Sequence, residues 1–224
     1  WDENYGSGGA PGGANIPLTA RGGPVTFTYD HATHVISDDT PRPLAAERGA
    51  HWLRTGVIAW QPPAGAQSFR LHYAPEGGLR IEDGAIAGSS FPLSLAAGGL
   101  PADVRAQFPH LASYAALELG AEARRRAGEL LTGELVVAAY DGAGQLLSST
   151  GVQIPGVLDD LYARAADAEL GPVFGRRGQV TLAVWAPTAK NVALDLGARR
   201  VPMRRGDDGV WRATDQKWSD KPPA

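Results

Sequence analysis

The stretch from Val180 to Leu196 limits what this chain can build. Val180-Thr-Leu-Ala-Val-Trp185 and Val192-Ala-Leu194-Asp195-Leu196 alternate apolar residues with small or polar ones, and Pro187-Thr188-Ala-Lys190-Asn191 separates them. A period of two places every second side chain on the same face. The two runs are therefore predicted to be strands with one buried face, joined as a β-hairpin. The same period recurs upstream. Val25, Phe27 and Tyr29 alternate with threonines before Asp30-His31-Ala, which predicts a hairpin through Ile36. His51-Trp52-Leu53, Val57 to Trp60, and Ser68 to Ala74 read as short strands between Gly or Pro turns. Gly133 to Tyr140 and Leu146 to Ile154 flank Asp141-Gly-Ala-Gly144, a strong turn signal that predicts a further hairpin. Two segments read as helix. One opens at Leu100-Pro101, where proline suits a first helical position and Asp103 the first turn, and ends near Phe108-Pro109. The other covers Ala121 to Leu131, rich in Ala, Glu, Arg and Leu.

Composition narrows the function classes. Gly (29) and Pro (17) exceed one residue in five of the 224 without any period, so turns are frequent and long helices few. The net charge is −3 and no Lys/Arg run is interleaved with aromatics, so nucleic acid is not expected as a partner. No apolar run approaches the roughly 20 residues of a membrane helix, and none is expected in a membrane. The absence of cysteine removes disulfides and zinc-thiolate sites and leaves the compartment open. A chain that begins at Trp1 rather than Met reads as processed, excised or incomplete.

The words Val184-Trp-Ala-Pro-Thr-Ala189 resemble the start of the family 48 carbohydrate-binding module (CBM48). This is the Ig-like domain that precedes the catalytic barrel in starch-debranching enzymes of the α-amylase superfamily (glycoside hydrolase family 13). Farther upstream, Trp60 onwards, Phe69 to Gly77, Gly99 to Asp103, Phe108 to Leu111 and Gly151-Val-Gln-Ile-Pro-Gly-Val-Leu-Asp-Asp160-Leu-Tyr162 resemble the N2 domain of pullulanases, the last phrase most specifically. Trp1-Asp-Glu-Asn4-Tyr5-Gly6 with the Val25 to Asp30 hairpin resembles the second half of an X25-type starch-associated module. The fold class implied is mainly β: tandem immunoglobulin-like β-sandwich modules, the central one with two short helices and the outer two truncated. The implied boundaries are 1–39 for the X25-type half, 40–156 for N2, 157–178 for a linker with an Ala-rich insertion, and 179–224 for the family 48 half. A lone hairpin is marginal in water, so the first half is expected to find its partner strands before residue 1.

By resemblance, the whole enzyme hydrolyses α-1,6 branch linkages in pullulan, amylopectin or glycogen, and its setting is extracellular. A retaining glycosidase needs two carboxylates about 5–5.5 Å apart, carried in this family on a (β/α)₈ barrel of about 250 residues. The family's barrel motifs are not found in these residues, so no catalytic residue is expected here and the barrel is expected downstream. The portion at hand is then expected to bind or align α-glucan and to support that barrel. Alternatives are a pure spacer, in which the aromatics are buried, and an unrelated Ig-like adhesive protein.

Aromatic residues are the residues of interest, because sugar rings stack their C–H faces on Trp or Tyr while nearby Asn, Asp or Glu take hydroxyl hydrogen bonds. Trp1, Asn4 and Tyr5, in a glycine-rich loop, are the carbohydrate-binding candidates; alternatively Trp1 or Tyr5 fills its own core. Trp52, Trp60, Tyr73 and Trp185 are expected in cores, while Trp211 and Trp218 carry no legible role. His31 and His34 lie on a hairpin without a third ligand, and Asp2, Glu3 and Asn4 lack the ligand ladder of a calcium loop, so no metal site is expected. No cofactor is implied for this portion; calcium would belong to the parent enzyme. Gly6 to Gly13 lacks the Gly-Lys-Ser/Thr ending of a phosphate loop. Asp159-Asp160 and Asp207-Asp208 read as ordinary loop carboxylates, and Arg124-Arg-Arg126 as a solvated helix face.

Overall fold

A computed structural model describes residues 44–45, 47–82, 84–175, 179–197 and 199–215, and the backbone of 27–30 and 35–38. Two units divide the chain, residues 1–42 and 43–224. In the first, β1 (Phe27–Asp30) and β2 (Val35–Asp38) pair antiparallel with Asp30 opposite Val35, as the alternation around Phe27 predicts.

The second unit contains a closed ring of seven strands. In chain order they are β3 (Ala50–Arg54), β4 (Val57–Trp60), β5 (Ser68–Ala74), β8 (Ser89–Leu95), β9 (Ala115–Leu119), β10 (Glu134–Tyr140) and β11 (Leu146–Gln153), with the short pair β6 (Ile81–Glu82) and β7 (Ala85–Ile86) between β5 and β8. Around the ring the order is β10, β11, β3, β4, β9, β8, β5 and back to β10. Only the β11–β3 pair is parallel, Val152 lying opposite Ala50. The two expected layers are thus joined along both edges, which removes the unpaired edge strands that an open sandwich must protect. Trp52, Ile58, Leu71, Leu117 and Val137 fill the interior.

Parts of the outer faces are also covered. Helix α1 (Ala102–Gln107) and a 3₁₀ turn at Pro109–Leu111 lay Leu100, Val104 and Leu111 on Leu53, Ala59 and Ala116. On the other side, Leu79 and Ile86 cover Val136 and Ala138, and the backbone N–H of Leu79 donates to Glu134 Oε2 at 2.8 Å. Burial on both faces explains why Leu135 to Ala139 is an unbroken apolar run in an antiparallel strand. The β10–β11 turn forms as predicted: Asp141 Oδ1 accepts from the N–H groups of Ala143 and Gln145, and Gly144 takes φ of 79°. The expected helix over Ala121 to Leu131 is divided at Arg126 into α2 (Ala121–Arg125) and α3 (Ala127–Leu130).

After β11 come α4 (Pro155–Leu161), a 3₁₀ turn at Ala163–Asp167, and β12 (Gly171–Phe174). The last layers are a sheet ordered β12, β13 (Val180–Trp185), β17 (Val210–Asp215), β16 (Arg204–Arg205), and a pair β14 (Ala193–Asp195) with β15 (Arg200–Pro202). This corrects the predicted hairpin over Val180 to Leu196. β13 pairs with β12 and β17, and β14 pairs with β15 instead. The two runs face one another as layers, placing Val180, Leu182, Leu194 and Leu196 in one cluster with Met203 and Trp211. The physical reason lies in the connection. Ala186 to Val192 is too long for a tight turn and contains Pro187, and two apolar rows bury more surface by facing each other than by lying edge to edge.

Candidate functional site

The phrase Ile154 to Tyr162 acquires a physical meaning letter by letter. Pro155 stands at the first turn of α4, where its missing N–H is no loss. Gly156 lies against β3 so closely that a Cβ there would sit 2.9 Å from Leu53 Cα, so only glycine lets the helix seat. Val157 is fully buried in the ring's core. Asp160 accepts from the Thr55 N–H at 2.7 Å and the Thr55 hydroxyl at 2.6 Å, clamping the helix to the β3–β4 turn. Tyr162 is buried, and its hydroxyl accepts from Arg205 Nη2 at 2.6 Å, while the same nitrogen donates to the Pro187 carbonyl. Lys190 adds a second tie across the two parts, donating to the Pro75 carbonyl and to Glu76 Oε1.

Between α4, the following 3₁₀ turn and β13 lies a cleft of about 470 Å³, within the range of small-ligand sites. Leu158, Asp159, Tyr162, Leu170 and Trp185 line it, with alanines of the 3₁₀ turn between them. Trp185 is 38% exposed, which corrects the expectation that it packs in a core. Val180 and Leu182 face the core, so the out-of-phase Trp185 projects to the opposite side of β13. That phase was present in the sequence, and so was Tyr162 at the end of the family phrase. What could not be read was that a distant helix would stand opposite the indole.

The other candidates separate cleanly. Trp52, Trp60 and Tyr73 are buried in the ring as expected. Trp211 is buried and its Nε1 donates to the Ala186 carbonyl at 2.9 Å, holding the connection that follows Trp185. Trp1, Asn4, Tyr5, His31, His34 and Trp218 lie outside the described residues. Asp159 and Asp160 fall on α4 rather than in a loop and take different roles, Asp160 bound to Thr55 and Asp159 facing the cleft. Asp208 is paired with Arg212 at 2.6 Å, and those hydrogen bonds hold its carboxyl down at about 2. Arg124 and Arg125 are exposed on α2, as read from the sequence, whereas Arg126 lies at the junction with α3, half-buried over the Phe91 ring and paired with Glu122 and Glu129. Among the described residues, no group of three His, Cys, Asp or Glu side chains is placed to hold a metal ion.

Residues 47–160, which include the ring and α4 up to Asp160, match the family described as the Pullulanase N2 domain. The chain belongs to the pullulanase family. It is 34% identical over 171 residues to the chloroplastic pullulanase 1 of Arabidopsis thaliana, a match covering 72% of this chain and 17% of that protein. To the pullulanase of Klebsiella pneumoniae it is 38% identical over 143 residues, 64% of this chain and 13% of that enzyme. The crystal structure of the apo pullulanase from K. pneumoniae superposes with a TM-score of 0.68 at 31% identity, covering 76% of this chain and 19% of that one. The same enzyme complexed with maltotriose gives 0.68 and 31%, covering 76% and 16%. The chain therefore spans less than a fifth of the length of these pullulanases, within their N-terminal region. Membership in this family sets aside the unrelated adhesive protein.

Proposed function

We propose that this chain is a non-catalytic accessory portion of a pullulanase-type debranching enzyme, one that binds or aligns α-glucan and holds a catalytic barrel carried elsewhere in the polypeptide. The whole enzyme would hydrolyse α-1,6 linkages in pullulan, amylopectin or glycogen. The observation that carries this reading is the family match over residues 47–160, within a stretch whose relatives are several times longer. Binding here would raise the local concentration of polymer at the barrel and would leave bond cleavage to it. A pure spacer role is favoured by one observation, the burial of Trp52, Trp60, Tyr73 and Trp211.

Affinity electrophoresis separates the two. The chain should be retarded in gels containing amylopectin or pullulan, and the double variant Trp1→Ala with Tyr5→Ala should lose most of that retardation. Unchanged mobility of the folded wild-type chain would leave only the spacer.

A further inference from the structure

We propose that the cleft between α4 and β13 is an α-glucan subsite, in which Trp185 stacks on the apolar face of a glucosyl ring and Asp159 accepts hydrogen bonds from its hydroxyls. This rests on the glucan-binding reading above and names a second place where the polymer is held. Four observations support it. First, the indole of Trp185 is exposed on the outward row of its strand, and its Nε1–H has no hydrogen-bond partner among the described residues, so it presents both a flat apolar surface and a free donor. Second, the neighbouring acids divide their roles: Asp160 is committed to Thr55, whereas Asp159 has neither ion pair nor hydrogen bond among the described residues and stands at the cleft.

Third, the cleft is preformed. One wall is seated by the close approach of Gly156 to Leu53 and by the Asp160–Thr55 hydrogen bonds, and Tyr162 is fixed by Arg205, so little ordering is left for a ligand to impose. Fourth, no Lys, Arg or His lines it, and its one charged group is a carboxylate. That arrangement opposes phosphate and other anions and suits a neutral polyol. The Ala-rich interval after α4 supplies the remaining wall. Ala163, Ala165 and Ala166 line the same cleft as the indole with short side chains.

The test uses the 224-residue chain and maltoheptaose, followed by the Nε1–H resonances of its six tryptophans. The Trp185 signal, assigned with Trp185→Phe, should shift in a saturable way. In a chain already carrying Trp1→Ala and Tyr5→Ala, adding Trp185→Ala should weaken the remaining binding about tenfold, as the loss of one stacked ring implies. Asp159→Ala should weaken it less, and Trp185→Phe should retain part of it. Because Trp185 and Asp159 are exposed, these variants keep the fold, which circular dichroism checks. Retention of the chain by amylopectin with an unmoved Trp185 resonance, or with affinity indifferent to Trp185→Ala, overturns the subsite and leaves the accessory reading standing. Failure of the wild-type chain to bind either glucan overturns both.

Discussion

The ring of β3 to β11 and the layers of β12 to β17 are built from the same alternating strands, yet they finish differently. The ring closes on itself, covers both faces of β10, and buries Trp52 completely. Among the described residues, the later sheet has β12 and β16 at its edges and leaves Leu170, Phe174, Val184 and Trp185 exposed. A closed ring pairs its own backbone edges and holds its aromatic residues inside, although Leu95 and Leu147 stay exposed on its strands. The open layers still present groups able to interact with something else. The lesson is that the larger core of the described residues lies in the ring, while an exposed indole and a cleft lie beside α4 and β13.

The sharpest way to break that contrast is to empty each core in turn. Trp52→Ala should cost about 3–5 kcal/mol and lower the main denaturation midpoint. Trp211→Ala, in the smaller cluster, should leave ring amides protected from hydrogen exchange while those of β13 and β17 become labile. Equal loss of protection in both parts would show a single cooperative unit. Gly156→Ala comes next. The new Cβ meets Leu53 backbone, so α4 must lift, at a cost of about 1–3 kcal/mol with a loss of order at the cleft.

Acid should act on the two parts at different pH. His72 in the ring is buried, its Nε2 lies 2.8 Å from the Tyr140 hydroxyl, and burial pushes its pKa down to about 4 from 6.5. The unfolded chain therefore binds the proton first, and the stabilisation, complete above about pH 6.5, is lost as pH falls toward 4, by about 1–2 kcal/mol. Asp208 in the open layers is depressed from 3.8 to about 2 by its Arg212 hydrogen bonds, so its contribution is present above 3.8 and declines only below that. Denaturation between pH 7 and pH 4.5 should weaken the ring and spare the layers, and His72→Gln should flatten the ring's dependence. Tyr162→Phe, which removes the acceptor of Arg205 while keeping the ring, should cost about 1 kcal/mol, read as earlier exchange of β13 amides. Smallest is Glu76→Ala. Its ion pair with Lys190 is solvent-exposed, and the change in midpoint should stay within about 0.5 kcal/mol.

Local pattern was enough for much of this molecule. The period of two located the strands around Trp52, Phe69 and Val137, the Asp141-Gly-Ala-Gly144 signal located its turn, and the Leu100-Pro101 start located α1, because each depends on residues within one turn or one strand of each other. The family phrases carried the resemblance to the N2 domain, whose family model matches residues 47–160. Pairing was another matter. Alternation states that a strand has one buried face, and it does not state which strand lies beside it. β10 finds β5 across about sixty residues, and β13 takes β17 rather than the adjacent β14, because closure and layer packing reward contacts that no short window contains. Trp185 shows the same limit in one side chain. Its phase on the strand was legible, but whether the opposite face would be core, solvent or cleft depended on where α4 came to rest, and that position was decided by Gly156 against Leu53 and Asp160 against Thr55 in the folded chain.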